Sequence, residues 1–449
     1  MRALVVAYAF PPVGGAGVQR MLKLVKYLPE HGVLPCVLSV ERPSVPVLDA
    51  SLLREVPHAV SILRAPTLEP SYAAKDLAWR AHADARKRPS QRPLRALAQL
   101  GRKLLVPDPQ VLWLPGAAQA LVRRLRAEHD DVVLISGPPF SQFLLGLLAR
   151  GVCRTPFVLD YRDEWTTTNS IYEMSGSARA AERLERAVLA RASAVTTATE
   201  EFREHLLERF PSLEPARTFA IPNGYDSADF PAELPAPASD RLVITYTGTV
   251  FRLTSARGFL DGLRLFHARE PSLAARLAVH FVGRIVETEV DAFDGTEALR
   301  VERIGYLPHA QALSALAASH LALCLLADLP GAERIYPAKI FEIMRLKRPA
   351  LVLTPEGALA RLVRRHRLGE LVPPNDPSAI AAALERAVRA FVGGTLPLTS
   401  DAVDVERFDR RSLAGEFAHA LELACGAAPA HPRSTPSSRL SGGVALAHR

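Results

Sequence analysis

Residues 4–27 read LVVAYAFPPVGGAGVQRMLKLVKY, and this stretch decides the fold. A short apolar strand, Leu4 to Ala7, runs through Pro11-Pro12-Val13 into Gly14-Gly15-Ala16-Gly17, and a helix begins near Val18. The helix follows from Val18, Met21, Leu22 and Val25 recurring on one face, with His31-Gly32 as a C-terminal stop. Glycine at three of four turn positions permits φ > 0 and leaves no Cβ to hold a ligand away. The new helix points unpaired N–H groups and a partial positive charge at that turn. An anion, most often a phosphate, is the natural guest, although a plain structural turn fits the same residues. The spacing is neither Gly-x-Gly-x-x-Gly nor a Walker sequence, which disfavours a nicotinamide site.

Outward from this unit, strand-like runs and helical patterns alternate. Strands are expected at 3–7, 35–40, 60–64, 131–136, 156–159, 194–197 and 218–221, with helices around 18–30, 115–128, 141–150, 177–191 and 200–209. A Pro- and Ala-rich stretch, Phe230 to Ser239, then breaks the rhythm as an interdomain linker would. Alternation resumes with strands at 242–246, 278–282, 299–304, 321–325, 350–353 and 369–372. The helices between them fall near 255–270, 309–319, 337–346, 357–367 and 377–392. The fold class is therefore α/β, with two open parallel-sheet domains facing each other across a cleft. Domain boundaries are expected at 1–229, a linker at 230–240, and 241–400. One further helix at 401–425 should pack back toward the first domain, and the Ala-, Pro-, Ser- and Gly-rich tail 426–449 should be disordered.

At 449 residues the chain suits two domains of roughly 200 residues each. It contains no run of about 18 uncharged apolar residues, so no transmembrane span is expected. The N-terminus does not read as a secretory signal, which points to a cytoplasmic protein. Cys36, Cys153, Cys324 and Cys425 stand singly among apolar residues and read as buried free thiols. The net charge of +8 is concentrated between Lys75 and Lys103. With Leu77, Trp79, Leu94, Leu100, Leu104 and Leu105 interleaved, 75–105 reads either as a solvated arginine-rich insertion or as a peripheral contact with anionic lipid at the inner membrane face. No nucleic-acid module is matched.

The second half carries its own constellations. Tyr246-Thr247-Gly248-Thr249 ends a strand and is followed by Arg252 and by Arg257 entering a helix, again a phosphate-site pattern. Phe281-Val282-Gly283-Arg284 ends the next strand, Ile304-Gly305-Tyr306-Leu307-Pro308-His309 leads into a helix, and Tyr336-Pro337-Ala338-Lys339-Ile340-Phe341-Glu342 opens another. Lys339 and Glu342, three apart, share a helix face and could form no more than a surface ion pair.

Taken together, YAFPPVGGAGVQR (8–20), SGPPFS (136–141), LDYRDEW (159–165), IPNGYD (221–226), YTGTVF (246–251), FVGRI (281–285), IGYLPHAQALSAL (304–316) and YPAKIFEIMRLKRPALVL (336–353) resemble the retaining glycosyltransferases of family 4. The resemblance covers about residues 1 to 420 and implies the GT-B architecture of two Rossmann-like domains. It also implies transfer of a sugar from a nucleotide diphosphate-sugar to a glycan, lipid-linked or small-molecule acceptor, with no separate cofactor. By the same resemblance, Gly14, Gly15 and Ala16 approach the diphosphate, Arg257 or alternately Arg252 neutralises it beside Gly248, Arg284, Tyr306 and Leu307 hold the base, and Glu342 receives a ribose hydroxyl. The chain departs from the family's Glu-x7-Glu motif, since Arg334 stands eight residues before Glu342 and Glu333 is one position off. Either the loop brings Glu333 in, or a Pro-x-Lys-x-x-Glu pattern places Lys339 on the donor; the second reading is favoured.

Charge developing on a leaving diphosphate calls for cations and helix N-termini at a closed cleft. No Asp-x-Asp follows a strand, so metal-independent transfer is expected. Asp160, Arg162 and Asp163 lie just past the 156–159 strand and read either as a structural ion cluster or as groups that orient the acceptor hydroxyl and meet the donor phosphate. Two competing readings share the fold: a nucleotide-sugar 2-epimerase, and a binding or scaffold subunit that has lost catalysis.

Overall fold

A computed structural model describes residues 1–75, 105–166, 178–230, 235 and 237–426. Residues 76–104, which carry the expected lipid-contact segment, most of the linker's first half, and the tail from 427 lie outside the described residues.

The first sheet contains β1 (Arg2–Val6), β2 (Leu34–Val40), β3 (Ser61–Ala65), β4 (Val132–Gly137), β5 (Phe157–Tyr161), β6 (Ala194–Thr197) and β7 (Thr218–Ala220). The second contains β8 (Leu242–Thr247), β9 (Leu277–Val282), β10 (Val301–Gly305), β11 (Leu321–Leu325), β12 (Ala350–Leu353) and β13 (Gly369–Val372). Their orders are β3-β2-β1-β4-β5-β6-β7 and β10-β9-β8-β11-β12-β13, and the paired strands are parallel. In each sheet the order reverses beside the first strand, between β1 and β4 and between β8 and β11. A parallel doubly wound sheet leaves its crevice at such a switch point, outside the strands' C-terminal ends.

Helices cover both faces, which is why the strands read as continuous apolar runs. Leu4 and Val6 enter one core with Trp113 and Phe157, while Ala3 and Val5 enter another with Met21, Leu24 and Val25. The described helices are α1 (Ala16–Tyr27), α2 (Leu114–Glu128), α3 (Leu144–Val152), α4 (Ala178–Leu189), α5 (Glu200–Arg209), α6 (Arg257–Arg269), α7 (Pro271–Ala274), α8 (His309–Ala317), α9 (Lys339–Leu346), α10 (Ala358–His366), α11 (Pro377–Val392) and α12 (Arg410–Ala424).

The chain crosses between the halves twice. After β7 it passes through Pro222-Asn223-Gly224, and near residue 405 it returns, so that Leu413, Phe417 and Leu421 of α12 join Met21 and Val25 of α1 in the first half's core. The last helix begins at Arg410 rather than at 401. Asp404 takes φ 53°, and the Asp409 carboxylate accepts the Arg411 N–H at 2.9 Å, fixing the start there. Of the four thiols expected to be buried, Cys36 and Cys324 are; Cys153 is partly exposed and Cys425 exposed.

Candidate active site in the interdomain cleft

The C-terminal ends of β1 and β5 on one side, and of β8, β9, β10 and β11 on the other, open on one cleft of about 490 Å³. Gly15, Gly17 and Arg162 line one wall, and Gly248, Arg284, Tyr306 and Lys339 the other. The two glycine turns thus share a single space.

Gly15 has φ 93° and ψ 172°, a conformation open essentially only to glycine, and caps α1 with open space where a Cβ would be. Gly14 is glycine for another reason. A Cβ there would lie 2.8 Å from Val47 Cγ1, and its N–H donates to Val47 O at 3.0 Å, so it seats the 47–49 loop and does not line the cleft. Ala16 is the first residue of α1.

Arg162 stitches this wall together. It donates to the carbonyls of Gly17, Gly137 and Pro138, joining the glycine turn to the loop after β4. Asp163 also lines the cleft. Asp160 does not, because β5 runs on through Tyr161 and keeps the carboxylate inside. Fully buried, Asp160 accepts from Arg20, from Ser136 Oγ at 2.7 Å and from Thr196 Oγ1 at 2.8 Å. Burial alone would raise its carboxyl pKa, but the Arg20 guanidinium and these hydrogen bonds hold it below the usual range. The expectation that Asp160 faces the acceptor is therefore corrected: it is the structural ion cluster.

On the opposite wall Gly248 has φ 116°, and a Cβ there would stand 3.2 Å from Lys339 Nζ. Lys339 opens α9, its Nζ is out of solvent, and no hydrogen-bond partner receives its protons among the described residues. The ammonium lies 3.4 Å from the centroid of the buried Tyr246 ring. Burial pushes its pKa down to about 7, against weaker opposing effects of Cys324 and Glu342. The surface ion pair between Lys339 and Glu342 does not form. Glu342 Oε1 is instead 2.8 Å from His309 Nε2, at the start of α8, whose Nδ1 stands 3.7 Å from Asp229. Burial would lower the His309 pKa, but the bond to Glu342 and the two carboxylate charges raise it.

Arg284, Tyr306 and Leu307 line the cleft; Arg257 and Arg252 do not. Arg257 is drawn to the surface by Asp291, with Nη2 2.5 Å from its carboxylate and 2.8 Å from Thr288 O, and Arg252 is exposed. Arg257 is thus corrected as a cleft cation. Glu333 also faces away: it accepts the Gly331 N–H at 2.9 Å and meets Arg334. Arg334, at the position of the missing motif glutamate, holds Glu164 of the first half through two hydrogen bonds, one of 3.0 Å, while its carbonyl accepts from Thr199 Oγ1 at 2.7 Å.

Two residues went unread in the sequence. His309 was noted only as part of a motif, and Arg410 not at all. Arg410 is 8% exposed, lines the cleft from the first position of α12, and its guanidinium makes no hydrogen bond or ion pair among the described residues. Single-residue patterns cannot expose a partnership that closes across the full chain.

Residues 15–224 match the model of a glycosyl transferase 4-like domain, and residues 242–390 that of the glycosyl transferases group 1. The chain belongs to the GT-B glycosyltransferases. This glycosyltransferase is 28% identical over 220 residues to a D-inositol 3-phosphate glycosyltransferase of Geodermatophilus obscurus, a match spanning 46% of this chain and 47% of that protein, about half its length. Among solved structures, Anabaena HepE in complex with UDP and glucose superposes with a TM-score of 0.61 at 14% identity, covering 94% of this chain and 99% of that one. S. aureus TarM, solved with UDP and α-GlcNAc-glycerol, gives 0.60 at 9% identity, covering 94% and 99%. At such identities these two show the shared fold. No described helix is long and apolar enough to cross a membrane.

Proposed function

We propose that the chain transfers a sugar, with retention at the anomeric carbon, from a nucleoside diphosphate-sugar to a glycan, lipid-linked or small-molecule acceptor. The observation that carries this reading is Lys339, a buried ammonium without a hydrogen-bond partner at the N-terminus of α9, facing a glycine turn in the interdomain cleft. A diphosphate supplies the counter-charge that Lys339 lacks and meets the unpaired amides that open α9.

In the transfer, negative charge gathers on the leaving diphosphate as the anomeric carbon gains oxocarbenium character. Lys339 and the α9 N-terminus neutralise that charge in a site already oriented for it. Arg284 and the Tyr306-Leu307 backbone receive the base, Glu342, oriented by His309, receives a ribose hydroxyl, and the Gly15 turn closes over the sugar and diphosphate. Asp163, at the end of β5, faces the acceptor. Transfer runs without a divalent metal in this reading: the cleft offers the diphosphate side-chain cations, and the acidic trio Glu55, Asp226 and Asp229 already surrounds Lys23 Nζ. Binding without catalysis stays the competing reading, since no motif glutamate reaches the cleft from position 333.

A thermal-shift screen of UDP-, GDP- and dTDP-sugars identifies the donor, because a ligand of the folded state raises its apparent stability. Proton NMR of the product then reads the anomeric configuration. Retention is expected; an inverted product, or binding without turnover across acceptors, contradicts the proposal.

A further inference from the structure

Arg410 is a second buried cation in the cleft, and the charges around it differ from those around Lys339. It stands at the first position of α12, an element of the first half's core, whereas Lys339 belongs to the second half. Its backbone N–H donates to Tyr225 O at 2.8 Å, and Asp409 beside it caps the helix, so the side chain is delivered to the cleft from a fixed base. Burial lowers its pKa to about 10 and the Arg20 charge adds to that, while Glu342, Asp229 and Asp226 oppose. The charges that shift Lys339 are Cys324 and Glu342, so the two cations share only Glu342.

The carboxylates near Arg410 are already engaged. Glu342 takes His309, Asp226 takes Lys23, Lys26 and Tyr27, and Asp229 takes Lys23. Arg20 is spent on Asp160 and on the carbonyls of Ile221 and Pro222, at 2.8 and 2.9 Å. A guanidinium keeps its charge at any accessible pH and presents a planar fork that matches a phosphate or carboxylate. Holding one out of water without a partner is costly unless a ligand supplies the anion.

We propose that Arg410 recognises a second anionic group in the cleft, separate from the donor's diphosphate: a phosphate or carboxylate carried by the acceptor or by the sugar being transferred. This rests on the nucleotide-sugar reading for the identity of the first anion, and on Arg410's own burial, placement and lack of a partner for the second.

The test is calorimetric titration of inorganic phosphate into full-length protein saturated with UDP, for the unaltered chain, Arg410→Leu and Arg410→Lys. Phosphate is expected to bind the unaltered protein in the millimolar range, at least tenfold more weakly in Arg410→Leu and to an intermediate degree in Arg410→Lys. UDP affinity should change less than threefold in both. Loss of phosphate binding in the unaltered protein, full retention in Arg410→Leu, or a fall in UDP affinity in Arg410→Leu as large as in Lys339→Met each overturns the proposal. UDP-glucuronate against UDP-glucose separates the two sources. A selective loss of the glucuronate in Arg410→Leu places the anion on the donor sugar, and equal affinities with phosphate binding lost place it on the acceptor. If no nucleoside diphosphate binds at all, the functional reading fails by itself, and phosphate titrated into Lys339→Met protein with and without Arg410→Leu still reads Arg410. Melting curves of both Arg410 variants confirm that they are folded.

Discussion

Lys339 Nζ stands 3.4 Å from the centroid of the Tyr246 ring, and no hydrogen-bond acceptor takes its protons among the described residues. A ring face offers an ammonium only part of what water gives up, so this cation strains the empty protein and waits for an anion. Replacing Lys339 with Met removes the strain and the anion site together. The free protein should melt about 2–4 °C higher, a gain of about 1 kcal/mol for a domain of this size. Nucleoside diphosphate affinity should drop at least tenfold. Parallel melts with and without ligand check both.

The depressed pKa of Lys339 gives the binding reaction a proton signature. With its pKa at about 7, the group is largely neutral at pH 8 in the free protein and charged once a diphosphate lies beside it. Binding at pH 8 should take up about one proton, read from calorimetry in buffers of different ionisation enthalpy, and Lys339→Met should abolish the uptake. For the free protein the sign follows from proton counts. Between pH 7 and about 10.5 the unfolded chain holds the Lys339 proton and the folded chain does not, so this group makes stability rise with pH across that window.

Arg334 and Glu164 fasten the two halves, and their side chains are 16% and 4% exposed. Arg334→Met leaves Glu164 desolvated without its counter-charge and should cost about 3 kcal/mol in urea unfolding. Replacing Glu164 by Met as well should recover more than half of that loss, because two apolar side chains need no counter-charge. If the double variant is as unstable as the sum of the two singles, the pair is not coupled as described.

The Gly15 turn should matter more to transfer than to nucleotide binding. Any Cβ is strained at φ 93°, by about 1–2 kcal/mol, although the space around it is open. Gly15→Ala should therefore lower kcat about tenfold while the Kd for the nucleoside diphosphate moves less than threefold, as steady-state kinetics and titration would show.

All thirteen strands were legible as apolar runs because both sheets are covered on both faces, and four matched residue for residue: 194–197, 321–325, 350–353 and 369–372. The glycine turns were legible because backbone geometry leaves a mark at a single position. The side chains were harder. Asp160 was misread because β5 continues two residues further than its apolar run, carrying the carboxylate inside to Arg20. Arg257 was misread because Asp291, 34 residues on, claims it at the surface. Arg334 and Glu164 meet across 170 residues, and Arg410 enters the cleft only because α12 returns to the first half. No local spacing records such partnerships. The lipid-contact expectation at 75–105 falls almost wholly outside the described residues.

The most direct measurement is calorimetric titration of UDP, GDP and dTDP into the unaltered protein and into Lys339→Met. One of the three should bind the unaltered protein with one-to-one stoichiometry and a Kd in the micromolar range, and at least tenfold more weakly in Lys339→Met. If none of them binds, or if the variant binds as tightly as the unaltered chain, then Lys339 does not await a diphosphate and the cleft is not the donor site.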